Sequence, residues 1–174
     1  MQPAHHLARL KPEHSDIKAL LKKHGHWYHS SKIRRADDWL IFFCFGAFVS
    51  ADDVEVDWTR EGEPADTALG QWETWCHAPR KPLAPASRFV TEKYHIRLRQ
   101  WHTPEQHPVY LMEEVVTYLP RDGLQFWYVQ EHGVVLATEQ DGQPVGVFAE
   151  FRPRVPIVEL SAKPSRSSPK KPGK

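Results

Sequence analysis

Residues 124–151 read LQFWYVQEHGVVLATEQDGQPVGVFAEF, and this stretch decides the fold class. Three β-rich runs, Leu124 to Val129, Val134 to Thr138 and Pro144 to Phe151, are separated by the turn formers His132-Gly133 and Asp141-Gly142. Valine, threonine and aromatic side chains suit a pleated, packed surface, and a glycine after a polar residue supplies the positive φ that tight hairpin turns demand. The stretch therefore predicts an antiparallel meander of three strands.

Upstream, Val109, Met112, Val115, Val116 and Leu119 recur at helical spacing ahead of Pro120, which predicts an amphipathic helix over 109–119. Before it, Tyr94, Ile96 and Leu98 alternate with His95, Arg97 and Arg99, the period of a strand, which Pro104 and Pro108 cut off. The C-terminal order is then β-α-β-β-β, in which one helix covers one face of a four-stranded sheet. Residues 60–87 carry Gly62, Pro64, Gly70, Pro79, Pro82 and Pro85 and read mostly as loop, with Leu69 to Trp75 as a short element. The run WLIFFCFGAFV, residues 39–49, predicts a buried strand. After it Val54, Val56 and Trp58 alternate with Glu55 and Asp57 as on a half-exposed one. Between Pro12 and Gly25, Ile17, Leu20, Leu21 and His24 form one face of an amphipathic helix, and the basic segment 26–38 reads as a second short helix. The sum is an α+β fold of mainly antiparallel sheet with two or three packing helices.

A chain of 174 residues is long enough for one core and short for two. The expected organisation is a flexible N-terminus over 1–11, a single α+β domain over 12–160 and a disordered, Lys/Ser/Pro-rich basic tail over 161–174. The longest apolar run has about 11 residues, whereas a helix crossing a bilayer needs roughly 20, so no membrane partner is expected. The first ten residues lack a continuous apolar stretch and a small-residue cleavage site, which makes the cytoplasm the expected compartment. Cys44 and Cys76 do not constitute a disulfide framework. The absence of asparagine, with abundant Ala, Pro, Arg and His, fits a GC-rich bacterial or phage coding sequence.

The net charge of +1 hides three zones: +6 over residues 1–35, −10 over 36–160 and +5 over 161–174. Basic ends on an acidic body suit an anionic partner, or ends that fold back onto the body. His24, His26 and His29 are imidazoles of the kind that bind zinc, but residues two apart on a helix diverge and no second ligand segment is evident. Asp53, Glu55 and Asp57 share one strand face, where alternation with valines makes them an ordinary solvated edge before a metal or acid–base site. No phosphate-binding loop, nucleophile elbow, dinucleotide fingerprint or paired-cysteine motif occurs, so no catalytic residue, metal or cofactor is assigned.

Twenty Trp, Tyr and Phe residues are more than a single small core conveniently hides, which points to a binding surface. The candidate nucleic-acid contacts are Lys18, Lys22, Lys23, Lys32, Arg34 and Arg35 near the start, Arg97, Arg99 and Trp101 on the predicted strand, and Lys170 and Lys171 in the tail. Cations neutralise phosphates and aromatic faces stack on bases, the chemistry of single-strand binding. The expectation is a non-catalytic, nucleic-acid-associated accessory protein. The alternative is a protein-binding adaptor or inhibitor using an acidic, aromatic-rich surface, with an enzyme of unrecognised type behind both.

Overall fold

Val134–Thr138 is buried at each of its five positions, which requires cover on both faces. The computed structural model describes residues 31–43, 46–51, 53, 65–117 and 123–160, and among them it supplies that cover. The strands are β1 (Ser31–Arg34), β2 (Trp39–Phe43), β3 (Gly46–Ser50), β4 (Lys81–Pro82), β5 (Ala84–Thr91), β6 (Arg97–His102), β7 (Pro108–Met112), β8 (Gln125–Val129), β9 (Val134–Thr138), β10 (Pro144–Ala149) and β11 (Ile157–Glu159). Among the described residues two α-helices, α1 (Ala65–His77) and α2 (Glu113–Thr117), accompany them, with a 3-10 turn at Gln130–His132. A seven-stranded sheet runs in the order β1-β2-β3-β10-β9-β8-β4, and a four-stranded sheet in the order β11-β5-β6-β7. Every pairing is antiparallel. The architecture is α+β and mainly antiparallel sheet.

The larger sheet is the middle of three layers. On one face Trp72 of α1, with Leu69, Trp75 and Cys76 beside it, packs on Leu40, Ala47, Val129, Leu136 and Val147. On the other face Ile41, Phe43, Val135, Ala137 and Phe148 meet Trp101, Val109 and Leu111 of the smaller sheet and Val115 and Val116 of α2. Phe43 sits edge-on to Phe48 at 5.6 Å and to Phe148 at 6.4 Å, a favoured aromatic geometry. Adjacent residues such as Leu40 and Ile41 point to opposite layers and are both fully buried. This is why the 39–49 run is continuously apolar instead of alternating.

The meander of the last third is present as β8, β9 and β10. Four expectations are corrected. Segment 26–38 contains a strand: Ser31–Arg34 pairs residue for residue with Trp39 to Phe42, the ladder outweighing its polar composition. The helix expected over 109–119 is a strand, β7, followed by the one-turn helix α2. Val109 belongs both to the helical set with Met112, Val115 and Val116 and to a two-residue alternation with Leu111, and pairing with Trp101 and Arg99 of β6 settles it as a strand. The stretch 60–87 is not mostly loop, since it holds the 13-residue α1 and the start of β5. Finally, β6 and the meander belong to different sheets, so the β-α-β-β-β unit does not form. The strand expected from Tyr94 begins at Arg97 because Thr91 accepts the His95 N–H at 3.0 Å and closes a turn, with His95 at φ 53°. The first amphipathic helix, the 54–58 strand and the tail lie outside the described residues. Among the described residues no helix is long and apolar enough to cross a membrane.

The two sheets are joined at a corner. Lys81 and Pro82 pair with Tyr128 and Trp127, Leu83 donates its N–H to the Phe126 carbonyl at 2.9 Å, and from Ala84 onward the chain belongs to the smaller sheet. Pro82 lacks an N–H and suits this edge position, where a ladder stops. Beyond the corner, β8 extends past its short neighbour, and the layers part.

Candidate functional site

The parting layers leave a cleft of about 690 Å³, within the 300–1,000 Å³ typical of ligand sites. The corner contributes Pro82, Leu83 and Pro85, β6 contributes Arg99 and Trp101, and α2 contributes Val116 and Thr117. Leu124, Gln125, Phe126 and Trp127, leading into and along β8, complete the wall. Trp101 is buried and lies 5.1 Å from Phe126 with the rings tilted by 36°, so this pair anchors the wall to the inter-sheet core. Trp127 is half-buried on the helix side, where its indole N–H donates to Thr138 Oγ1 at 3.0 Å, and Arg80 lies 4.7 Å from its ring centroid. Among the described residues the lining is apolar and aromatic, with neutral polar groups from Thr117 and Gln125 and a single charge, Arg99.

That charge has an uneven set of partners. Arg88 and Arg99 face each other directly across the β5–β6 pair, an arrangement of like charges that disfavours pairing unless an anion intervenes. Glu113, at the start of α2 and largely buried, intervenes. Its Oε1 lies 2.6 Å from Arg88 Nη2 but 3.6 Å from Arg99 Nε. The Arg99 Nε is shielded from solvent and makes no hydrogen bond, while the side chain as a whole stays 43% exposed at the cleft.

A second polar cluster lies around Tyr128, whose hydroxyl donates to Glu150 at 2.8 Å while Arg152 reaches the same carboxylate oxygen at 3.3 Å. The His107 ring stacks on Tyr128 at 6.0 Å. Burial, with the Glu150 carboxylate next, raises the Tyr128 pKa above the ordinary phenol value, and Glu150 likewise raises Arg152. Lys81 pairs with Glu105 at 3.1 Å. Glu105 is held below the usual carboxylate range by its backbone hydrogen bond first and by Lys81 next. Glu150 Oε2 is shared by Tyr128 and Arg152, which makes the cluster a fastening between β8 and the chain after β10.

The structure separates the candidate nucleic-acid contacts. Lys32 pairs with Asp53 and lies 4.8 Å from the Trp39 ring centroid. Arg34 is exposed, 5.3 Å from the same ring, and Arg35 makes a two-pronged bond to buried Asp38 at 2.6 and 2.8 Å. Arg97 is exposed, Arg99 borders the cleft, and Trp101 is in the core. The β1 group and the cleft sit at opposite edges of the seven-stranded sheet, on the order of 25–30 Å apart for six inter-strand steps. Lys18, Lys22, Lys23, Lys170 and Lys171 lie outside the described residues, as do His24, His26, His29, Glu55 and Asp57. Among the described residues no group of three or more His, Cys, Asp or Glu side chains is arranged to hold a metal ion. Cys76 is a free, half-buried thiol whose pKa burial pushes up to about 12, with Glu73 adding to the effect. It packs under α1 as a small apolar residue.

Sequence reasoning nominated Arg99 and Trp101 but missed Pro82, Leu83, Pro85, Leu124 and Phe126. A proline-rich stretch next to a β-rich run, read as a sheet corner instead of a loop, was the available signal. Comparison with protein-family models, with curated proteins and with solved structures returned no match.

Proposed function

We propose that this protein is a non-catalytic binding protein, an adaptor or inhibitor that captures a segment of a partner protein in the cleft between its two sheets. The observation that carries the reading is the composition of the described cleft wall: prolines, leucines and the aromatic pair Trp101 and Phe126 around Arg99. Such a wall rewards burial of apolar side chains at roughly 25 cal/mol per Å², and large aromatic and arginine groups are the usual anchors of protein interfaces. Among the described residues its polar groups apart from Arg99 are a threonine and a glutamine, which orient a ligand but supply no acid–base pair.

The nucleic-acid reading loses support from the same geometry. Lys32 and Arg35 are engaged by Asp53 and Asp38, Trp101 is not presented for stacking, and the described basic groups of β1 and of the cleft do not form one track. The test is site-specific photo-cross-linking in the producing cell from a benzoylphenylalanine at Thr117, an exposed cleft position. A second probe at Thr74, exposed on α1, is the control. A discrete protein adduct from Thr117 and not from Thr74 supports the proposal. Nucleic-acid adducts, or identical patterns from both positions, overturn it.

A further inference from the structure

We infer that the segment captured in the cleft carries an acidic side chain next to a large apolar one, the carboxylate docking on Arg99. The inference rests on the protein-binding reading above and adds the chemistry of the occupant. Arg88 and Arg99 lie opposite each other on adjacent strands with one carboxylate, Glu113, between them. Glu113 is committed to Arg88 at 2.6 Å and holds Arg99 only as an ion pair at 3.6 Å, leaving one positive charge of the trio uncompensated. Among the described residues the Arg99 Nε has no hydrogen-bond partner and it is shielded from solvent, so the other guanidinium nitrogens, on the exposed part of the side chain, are what a ligand can reach. A monovalent carboxylate completes the pairing, and a planar guanidinium receives it bidentately. On the wall of Arg99 stand Trp101 and its cross-strand partner Pro85, and the larger sheet contributes Phe126 and Pro82, so a leucine or aromatic side chain next to the acid meets an apolar lining.

The experiment is a random heptapeptide display library panned on the full chain, on Thr117→Trp, which fills the mouth of the cleft from an exposed position, and on Arg99→Gln. The wild-type protein is expected to enrich peptides with Asp or Glu beside Leu, Phe or Trp. A synthetic consensus peptide with blocked ends is expected to lose about tenfold or more in affinity when its acid is changed to the amide. Arg99→Gln should bind the acid and amide peptides equally, and Arg99→Lys should restore a preference for the acid. An apolar consensus without an acid, or an acid preference that survives in Arg99→Gln, overturns this inference and leaves the cleft as a protein-binding site. Enrichment that Thr117→Trp does not abolish, or displacement of the peptide by a short oligothymidylate at equal concentration, overturns the protein-binding reading itself.

Discussion

Trp72 is the side chain on which the helical layer depends, and its truncation measures whether that layer is a working part of the fold. It is 2% exposed, midway along α1, against Leu40, Ala47, Val129 and Leu136 of the central sheet. A buried tryptophan hides roughly 150–250 Å², and at about 25 cal/mol per Å² the transfer term alone is about 4–6 kcal/mol as an upper estimate. Measured Trp→Ala costs in well-packed cores run about 3–5 kcal/mol, because neighbours relax in part. Trp72→Ala should therefore lower stability by about 4 kcal/mol. Followed by circular dichroism in urea, with a slope of about 2 kcal/mol/M, the midpoint should fall by about 2 M. Glu73→Ala, the exposed neighbour on the same helix, should stay within about 0.5 kcal/mol of wild type. A Trp72→Ala loss below about 1 kcal/mol would mean that α1 does not seal the sheet, and would refute the three-layer arrangement.

Two glycines should respond with opposite signs. Gly46→Ala puts a Cβ 1.9 Å from the Val147 carbonyl oxygen at a φ of +148° and should cost about 2–4 kcal/mol, whereas Gly70→Ala in α1 meets nothing within 4 Å and should gain up to about 1 kcal/mol, both read from urea midpoints. Cys76, with its pKa pushed up to about 12, should react with a thiolate-seeking reagent at pH 8 far more slowly than a free cysteine peptide, and unfolding should restore the rate. Because the Tyr128 pKa is raised in the folded state, its contribution is complete below the unfolded phenol value near 10 and is lost as pH rises through the folded one. Tyr128→Phe should flatten that alkaline decline in stability between pH 9 and 11, measured by urea unfolding at each pH.

The strands of the last third were legible because each carries its own turn signal and enough β-branched and aromatic residues to exclude the alternatives. Segment 109–119 was not, since Val109 fits a helical spacing with Met112, Val115 and Val116 and a strand alternation with Leu111, and only a partner, β6, distinguishes them. Helix α1 was obscured by Gly70 within it and by Gly62 and Pro64 before it, although Leu69, Trp72 and Cys76 mark its buried face. Arg99 and Trp101 stood out as a cation and an aromatic two residues apart on a strand. What they face was invisible, because the cleft is built from 82–85, 99–101, 116–117 and 124–127, segments that meet only where the chain changes sheets. The charge zones put basic residues at the ends of the chain, and of the described candidates Lys32 and Arg34 lie on β1, an edge of the seven-stranded sheet, while Arg97 and Arg99 lie on β6 of the smaller sheet.

Hydrogen–deuterium exchange of the full chain, with and without the partner recovered by cross-linking from Thr117, tests the central claim most directly. The account predicts slowed exchange in 83–85, 113–117 and 124–127, on both walls of the cleft, with 31–35 unchanged. Protection confined to 31–35 and Arg97, with the cleft walls unaltered, would contradict it and return the basic residues to the centre of the protein's function.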